Sequence, residues 1–216
     1  MTYKSLASPR IPAVESDGLI KTLVLENDLV VMIVVPDFVR TGDSYQLLLN
    51  NAVAGPPQHF PIPMETESTV TTYVSKDELL SDGFYEIAYR YISYPGGNIA
   101  DSESTIIRVD RTQPGATLLA PMIFPTATFG DHLTGLIPGY AGMEKGDVIK
   151  ILLNGIEGPT HLVQAEELTL RPVEITFTRE DLHAHAGENV SIEYFVTDRA
   201  GNASITSLPT LVSVKL

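Results

Sequence analysis

Hydrophobic and polar residues alternate with a period of two along much of this chain. The clearest stretch is 190–202. Val190, Ile192, Tyr194 and Val196 fall on one face, Ser191, Glu193 and Thr197 on the other, with Phe195 the one large apolar exception. Alternation built from β-branched and aromatic residues predicts a half-buried strand. The run Asp198-Arg199-Ala200-Gly201-Asn202 then supplies turn chemistry, because Gly and Asn tolerate positive φ. The same reading predicts strands at 19–25, 29–35, 44–50, 69–74, 84–92, 104–109 and 210–214. Segment 29–35 is apolar on both faces, as in a strand buried in a sandwich or at an interface. Residues 1–8 read as a loose lead-in, and 51–63, rich in Pro, Gly and Ala, as a loop. Residues 75–80 read as one helical turn opened by Ser75, with Glu78 at the capping-box position.

The second half follows the order of the first at an offset of roughly 102–105 residues. Leu136-Ile137-Pro138 matches Val34-Val35-Pro36, and Tyr140 falls where Phe38 does. Gly146-Asp147 matches Gly42-Asp43, Asn154 matches Asn50, and Tyr194 matches Tyr89. Short strands spaced by turns, without strand–helix alternation, predict an all-β chain of two tandem antiparallel sandwiches. One large barrel is the alternative. The predicted domains are 9–112 and 113–216, behind the lead-in, with Asp110-Arg111-Thr112-Gln113-Pro114 as a short, proline-stiffened boundary.

Composition narrows the function classes. A net charge of −13, shared almost equally by the two halves, repels phosphate backbones and argues against a nucleic-acid partner. Without cysteine there is neither a disulfide framework nor a thiolate metal site. No apolar run reaches the roughly 18 residues that span a membrane, so membrane insertion is not expected. The first ten residues lack the apolar core of a signal peptide. That leaves a cytosolic protein, another export route, or a piece of a longer chain.

No catalytic constellation stands out. There is no Gly-x-Ser-x-Gly elbow, no phosphate loop and no dinucleotide fingerprint. Pairs such as Glu166-Glu167 and Asp77-Glu78 are adjacent in sequence and, in a strand, point to opposite faces. His183 and His185 fall on one side of an extended segment, yet nothing draws His132 or His161 towards them as a third zinc ligand. Tyr85, Tyr89 and Tyr91 read as core residues, with Tyr89 and Tyr194 candidates for a corner hydrogen bond. Tyr73, Tyr94 and Tyr140, nearer loops, are the candidate platforms for a sugar ring.

The acidic surface leaves carboxylates for Ca²⁺, which takes six to eight oxygens. Asp198 and Asn202 flank a turn and Asp110 sits at the boundary, so these three are the candidate calcium ligands. Their alternative role is to hydrogen-bond their own turn backbone.

Several motifs resemble one family. They are Gly-Asp before a strand, Gly187-x-x-Val190-x-Ile192-x-Tyr194, Thr197-Asp198-Arg199-Ala200-Gly201-Asn202 and Val109-Asp110-Arg111-Thr112-Gln113-Pro114. The chain, over about 9–216, resembles the tandem immunoglobulin-like (Ig-like) repeats of large bacterial surface and secreted proteins, including adhesins of pseudomonads. The resemblance implies two Ig-like sandwiches in a longer secreted or cell-surface chain, acting as stalk or adhesive module. Its partners would be a host-cell surface, a glycan or neighbouring repeats, with calcium stiffening some joints. A carbohydrate- or receptor-binding module, or an accessory pair of a secreted enzyme or toxin, is the alternative. The turn Tyr94-Pro95-Gly96-Gly97-Asn98 departs from the family pattern by lacking the Asp.

Overall fold

The computed structural model describes residues 5–61, 68–126, 132–169, 172–183 and 187–214. The chain divides into two compact units, Met1–Arg111 and Thr112–Leu216. Each is an antiparallel β-sandwich.

In the first unit, β1 (Leu29–Val34) pairs with β4 (Thr69–Val74) to form one sheet. The facing sheet contains β3 (Ala52–His59), β2 (Ser44–Leu49), β5 (Gly83–Ile92) and β6 (Ile99–Asp101), with β7 (Thr105–Val109) also on β5. Leu29, Val31 and Ile33 from one sheet meet Tyr45, Leu47, Ile87, Tyr89 and Ile107 from the other in a single core. Burial alternates along β4 as the period-two pattern requires. Strand β1 is fully buried on one face and half-buried on the other, which accounts for its unbroken apolar sequence.

The second unit uses the same order. Strand β8 (His132–Ile137) pairs with β11 (Val173–Thr178). They face a four-stranded sheet ordered β10 (Ile156–Leu162), β9 (Val148–Leu153), β12 (Gly187–Thr197), β13 (Thr210–Val214). Ile149, Ile151, Ile192, Tyr194 and Val196 close its core against Leu133, Ile137, Ile175 and Phe177. One turn of helix, α1 (Arg179–His183), stands where the first unit has the 3-10 turn Lys76–Glu78. Ser75 caps that 3-10 turn, its hydroxyl accepting from the Asp77 amide at 3.4 Å. Among the described residues no helix is long and apolar enough to cross a membrane.

Four expectations change. Residues 19–25 form no strand. Leu19, Ile20 and Leu25 are buried from irregular chain and a 3-10 turn, so the apolar run reports burial and not strand periodicity. Leu19 makes only one bridge, parallel to Arg108. Residues 52–59, expected as loop, form the edge strand β3, which is largely exposed and carries Pro56 and Pro57 on the sheet margin where proline is tolerated. The lead-in is not loose throughout, because Leu6 packs into the first core and its carbonyl accepts from Glu103 at 3.3 Å. His183 belongs to helical backbone rather than an extended segment, and His185 lies outside the described residues.

Candidate functional site

Both units bury a carboxylate where the Gly-Asp motif meets a strand. Gly42 and Gly146 adopt positive φ, +94° and +96°, to turn the chain into β2 and β9. The next residue, Asp43 or Asp147, is then fully buried. Asp43 Oδ2 accepts from the Tyr91 hydroxyl at 2.6 Å and the Arg40 amide at 2.8 Å, and its Oδ1 accepts from the Tyr94 amide at 2.8 Å. Burial works against the Asp43 charge, but these donors and the Arg40 cation outweigh it and hold the pKa below its ordinary value.

In the second unit the hydroxyl comes from elsewhere. Asp147 Oδ2 accepts from Tyr140 at 2.8 Å and from the Glu144 amide at 3.0 Å. Tyr140 stands at the position of Phe38, whose ring meets Tyr91 edge-on at 5.4 Å. Val196 stands at the position of Tyr91. The donor has thus moved from a strand to a loop while the buried acceptor stayed. Asp147 Oδ1 is buried with no hydrogen-bond partner. Burial pushes the Asp147 pKa up, and the charges of Asp198 and Glu144 add to the rise against the two donors. Tyr140 is therefore turned inward and half-buried, which removes it from the candidate sugar platforms. Tyr73 and Tyr94 are exposed.

Two of the candidate calcium ligands, Asp198 and Asn202, meet in one turn. Asp198 Oδ1 accepts from the Gly201 and Asn202 amides at 2.7 and 2.8 Å, and Oδ2 from Asn202 Nδ2 at 2.8 Å. Both oxygens thus close their own turn. Asp110 belongs to the first unit and lies 3.4 Å from Arg108. Among the described residues no group of three or more His, Asp or Glu is placed to hold a metal. His161 pairs with Glu167 at 3.0 Å, and His132 is exposed on β8.

Tyr194 is hydrogen-bonded, donating to the Ala120 carbonyl at 2.8 Å, but that carbonyl lies 74 residues upstream and the bond is not the local corner bond expected. The Tyr89 hydroxyl is buried without a partner. Both rings are buried, which pushes each phenol up to about 12.

One feature escaped the sequence. Asn50, Asn51, Phe84, Glu86 and Ile106 line a hollow of about 430 Å³ on the outer face of the first unit. Its floor is built by the β5–β7 register, which sets Glu86 opposite Ile106. Asn50 and Asn51 form the β2–β3 turn with φ of 51° and 64°, a left-handed pair that Asn tolerates. Asn50 Oδ1 accepts from the Glu86 amide at 2.9 Å and ties the turn to the strand. Asn154 accepts from the Ser191 amide in the same way, so only this tie was legible as a shared position.

No protein-family model matches the chain. No curated protein matches it. Among solved structures, one described as "Structural insight into host cell surface retention of a 1.5-MDa bacterial ice-binding adhesin" is similar at 16% identity and a TM-score of 0.51. The alignment covers 98% of this chain and 66% of that one. The fibronectin(III)-like modules of Clostridium thermocellum CbhA align at 13% identity and a TM-score of 0.44, over 96% of this chain and 94% of theirs. The adhesin domain of Epf from Streptococcus pyogenes aligns at 10% identity and a TM-score of 0.37, over 88% of this chain and 78% of that one. The chain thus spans about two thirds of the ice-binding adhesin structure, and what it shares with that structure is the β-sandwich fold.

Proposed function

We propose that this chain is a pair of Ig-like repeats, 9–112 and 113–216, from a bacterial surface or secreted protein, serving as a non-catalytic stalk or adhesive module. One observation carries the reading. Two sandwiches of the same strand order each bury the carboxylate of a Gly-Asp motif under a tyrosine hydroxyl, so two distinct sequences solve one architectural problem alike. The likeness to the ice-binding adhesin supports a surface setting, and a host-cell surface, a glycan or neighbouring repeats are the partners that setting offers. The acidic exterior disfavours nucleic acid and limits self-association.

Protease treatment of intact producing cells tests the reading. Peptides from this sequence are expected in the released fraction. Their release only after lysis would place the chain inside the cell and overturn it.

A further inference from the structure

We infer that the hollow around Phe84 is a carbohydrate subsite that takes the flat face of a neutral sugar ring. Phe84 is 70% exposed on an otherwise regular sheet, with Ile106, 55% exposed, beside it. An exposed aromatic face suits the C–H face of a pyranose, whose hydroxyls need donors and acceptors at the ring edge. The rim supplies both. The amide of Asn51, the Nδ2 of Asn50 and the carboxylate of Glu86 have no protein partner among the described residues. The volume, about 430 Å³, lies in the range of roughly 300–1,000 Å³ usual for small-ligand clefts.

The lining also excludes other ligands. Among the described lining residues there is no Lys, Arg or His, and Arg108, set opposite Phe84 by the β5–β7 register, is paired with Asp110 at 3.4 Å, so the hollow favours a neutral guest over an anion. The described lining residues include the polar Asn50, Asn51 and Glu86, whose groups a wholly apolar guest would leave without partners.

The second unit shows that the fold does not require this chemistry. By register, the places of Asn51, Phe84, Glu86 and Ile106 are taken there by Gly155, Asn189, Ser191 and Leu211. The tie made by Asn50 is kept as Asn154, whereas the aromatic and the carboxylate are not. The subsite is a property of the first unit alone.

The inference goes beyond the stalk reading and fails separately from it. The full chain would be screened on an array of neutral glycans, and the best hit titrated by calorimetry into wild type, Phe84→Ala, Glu86→Gln and Tyr94→Ala. Binding is expected to weaken about tenfold or more in Phe84→Ala, the loss of one good aromatic contact, and several-fold in Glu86→Gln. Tyr94→Ala should bind as wild type. All four proteins should share one unfolding midpoint within error, because Phe84, Glu86 and Tyr94 are exposed. An array without hits, or a hit that survives Phe84→Ala, overturns the subsite. Loss of binding in Tyr94→Ala with Phe84→Ala unaffected also overturns it, while leaving an adhesive role intact.

Discussion

The hydroxyl of Tyr140 donates to Asp147 at 2.8 Å, and the other oxygen of that buried carboxylate has no partner. Its counterpart Asp43 has three donors on two oxygens. Asp43→Asn leaves one carbonyl oxygen to meet the donors from Tyr91, Tyr94 and Arg40. It should cost the first unit about 1–3 kcal/mol. Asp147→Asn should cost the second unit less, since it also removes a poorly solvated charge. Urea unfolding of both variants checks the ranking.

The two carboxyls should also give the units opposite acid responses. The folded pKa of Asp147 is raised above 3.8, so the folded state binds its proton first, and the second unit gains stability as pH falls through that raised value towards 3.8. The folded pKa of Asp43 is lowered below 3.8. Its contribution is intact above 3.8 and is lost as pH falls from there through the lowered value. Calorimetric scans from neutral pH to about 3 should resolve the two trends. Asp147→Asn should flatten the first and leave the second.

The tyrosine pair separates packing from hydrogen bonding. Tyr194→Phe orphans the Ala120 carbonyl and should destabilise the second unit by about 1–3 kcal/mol. Tyr89→Phe removes a buried hydroxyl that bonds nothing, so the first unit should stay within about 0.5 kcal/mol or gain stability. Unfolding midpoints of the two variants read this directly.

Calcium at Asp110, Asp198 and Asn202 is tested by unfolding in EDTA and in millimolar Ca²⁺. An unchanged midpoint is expected, because each Asp198 oxygen already serves its turn. Asp198→Ala should cost about 1–2 kcal/mol in either buffer, as the loss of a capping carboxylate does. A calcium-dependent rise abolished by Asp198→Ala or Asp110→Ala would establish the metal site.

The sandwich class was legible because most of its strands bury one face and expose the other. Thr69–Val74 and Thr210–Val214 lie where alternation put them. Strand β3 was not, because an edge strand exposed on both faces has no buried face to impose a period. Residues 19–25 misled in the opposite way, being apolar enough to bury without forming a ladder. The buried Asp43 and Asp147 were visible only as members of a turn motif. That Tyr91 serves one and Tyr140 the other depends on which side chain reaches across the sheet, and no local pattern encodes it. The Phe84 hollow gathers residues from a turn and two strands, so its signal is spread over more than fifty positions.

The parallel bridge between Leu19 and Arg108 has a mechanical consequence. The Arg108 amide bonds the Gly18 carbonyl at 2.7 Å, and the Ile20 amide bonds the Arg108 carbonyl at 3.0 Å. One segment lies near the entry of the first unit and the other near its exit, and they run the same way. Tension applied through the flanking chain pulls them in opposite directions along a common axis. Once the Leu6 and Arg10 contacts ahead of them give way, both bonds carry the load together, in shear, instead of peeling open one after the other. A tether built from such a unit yields late and abruptly when stretched, and Pro substituted at Ile20, which deletes one of the two bonds, should lower the force at which it gives way.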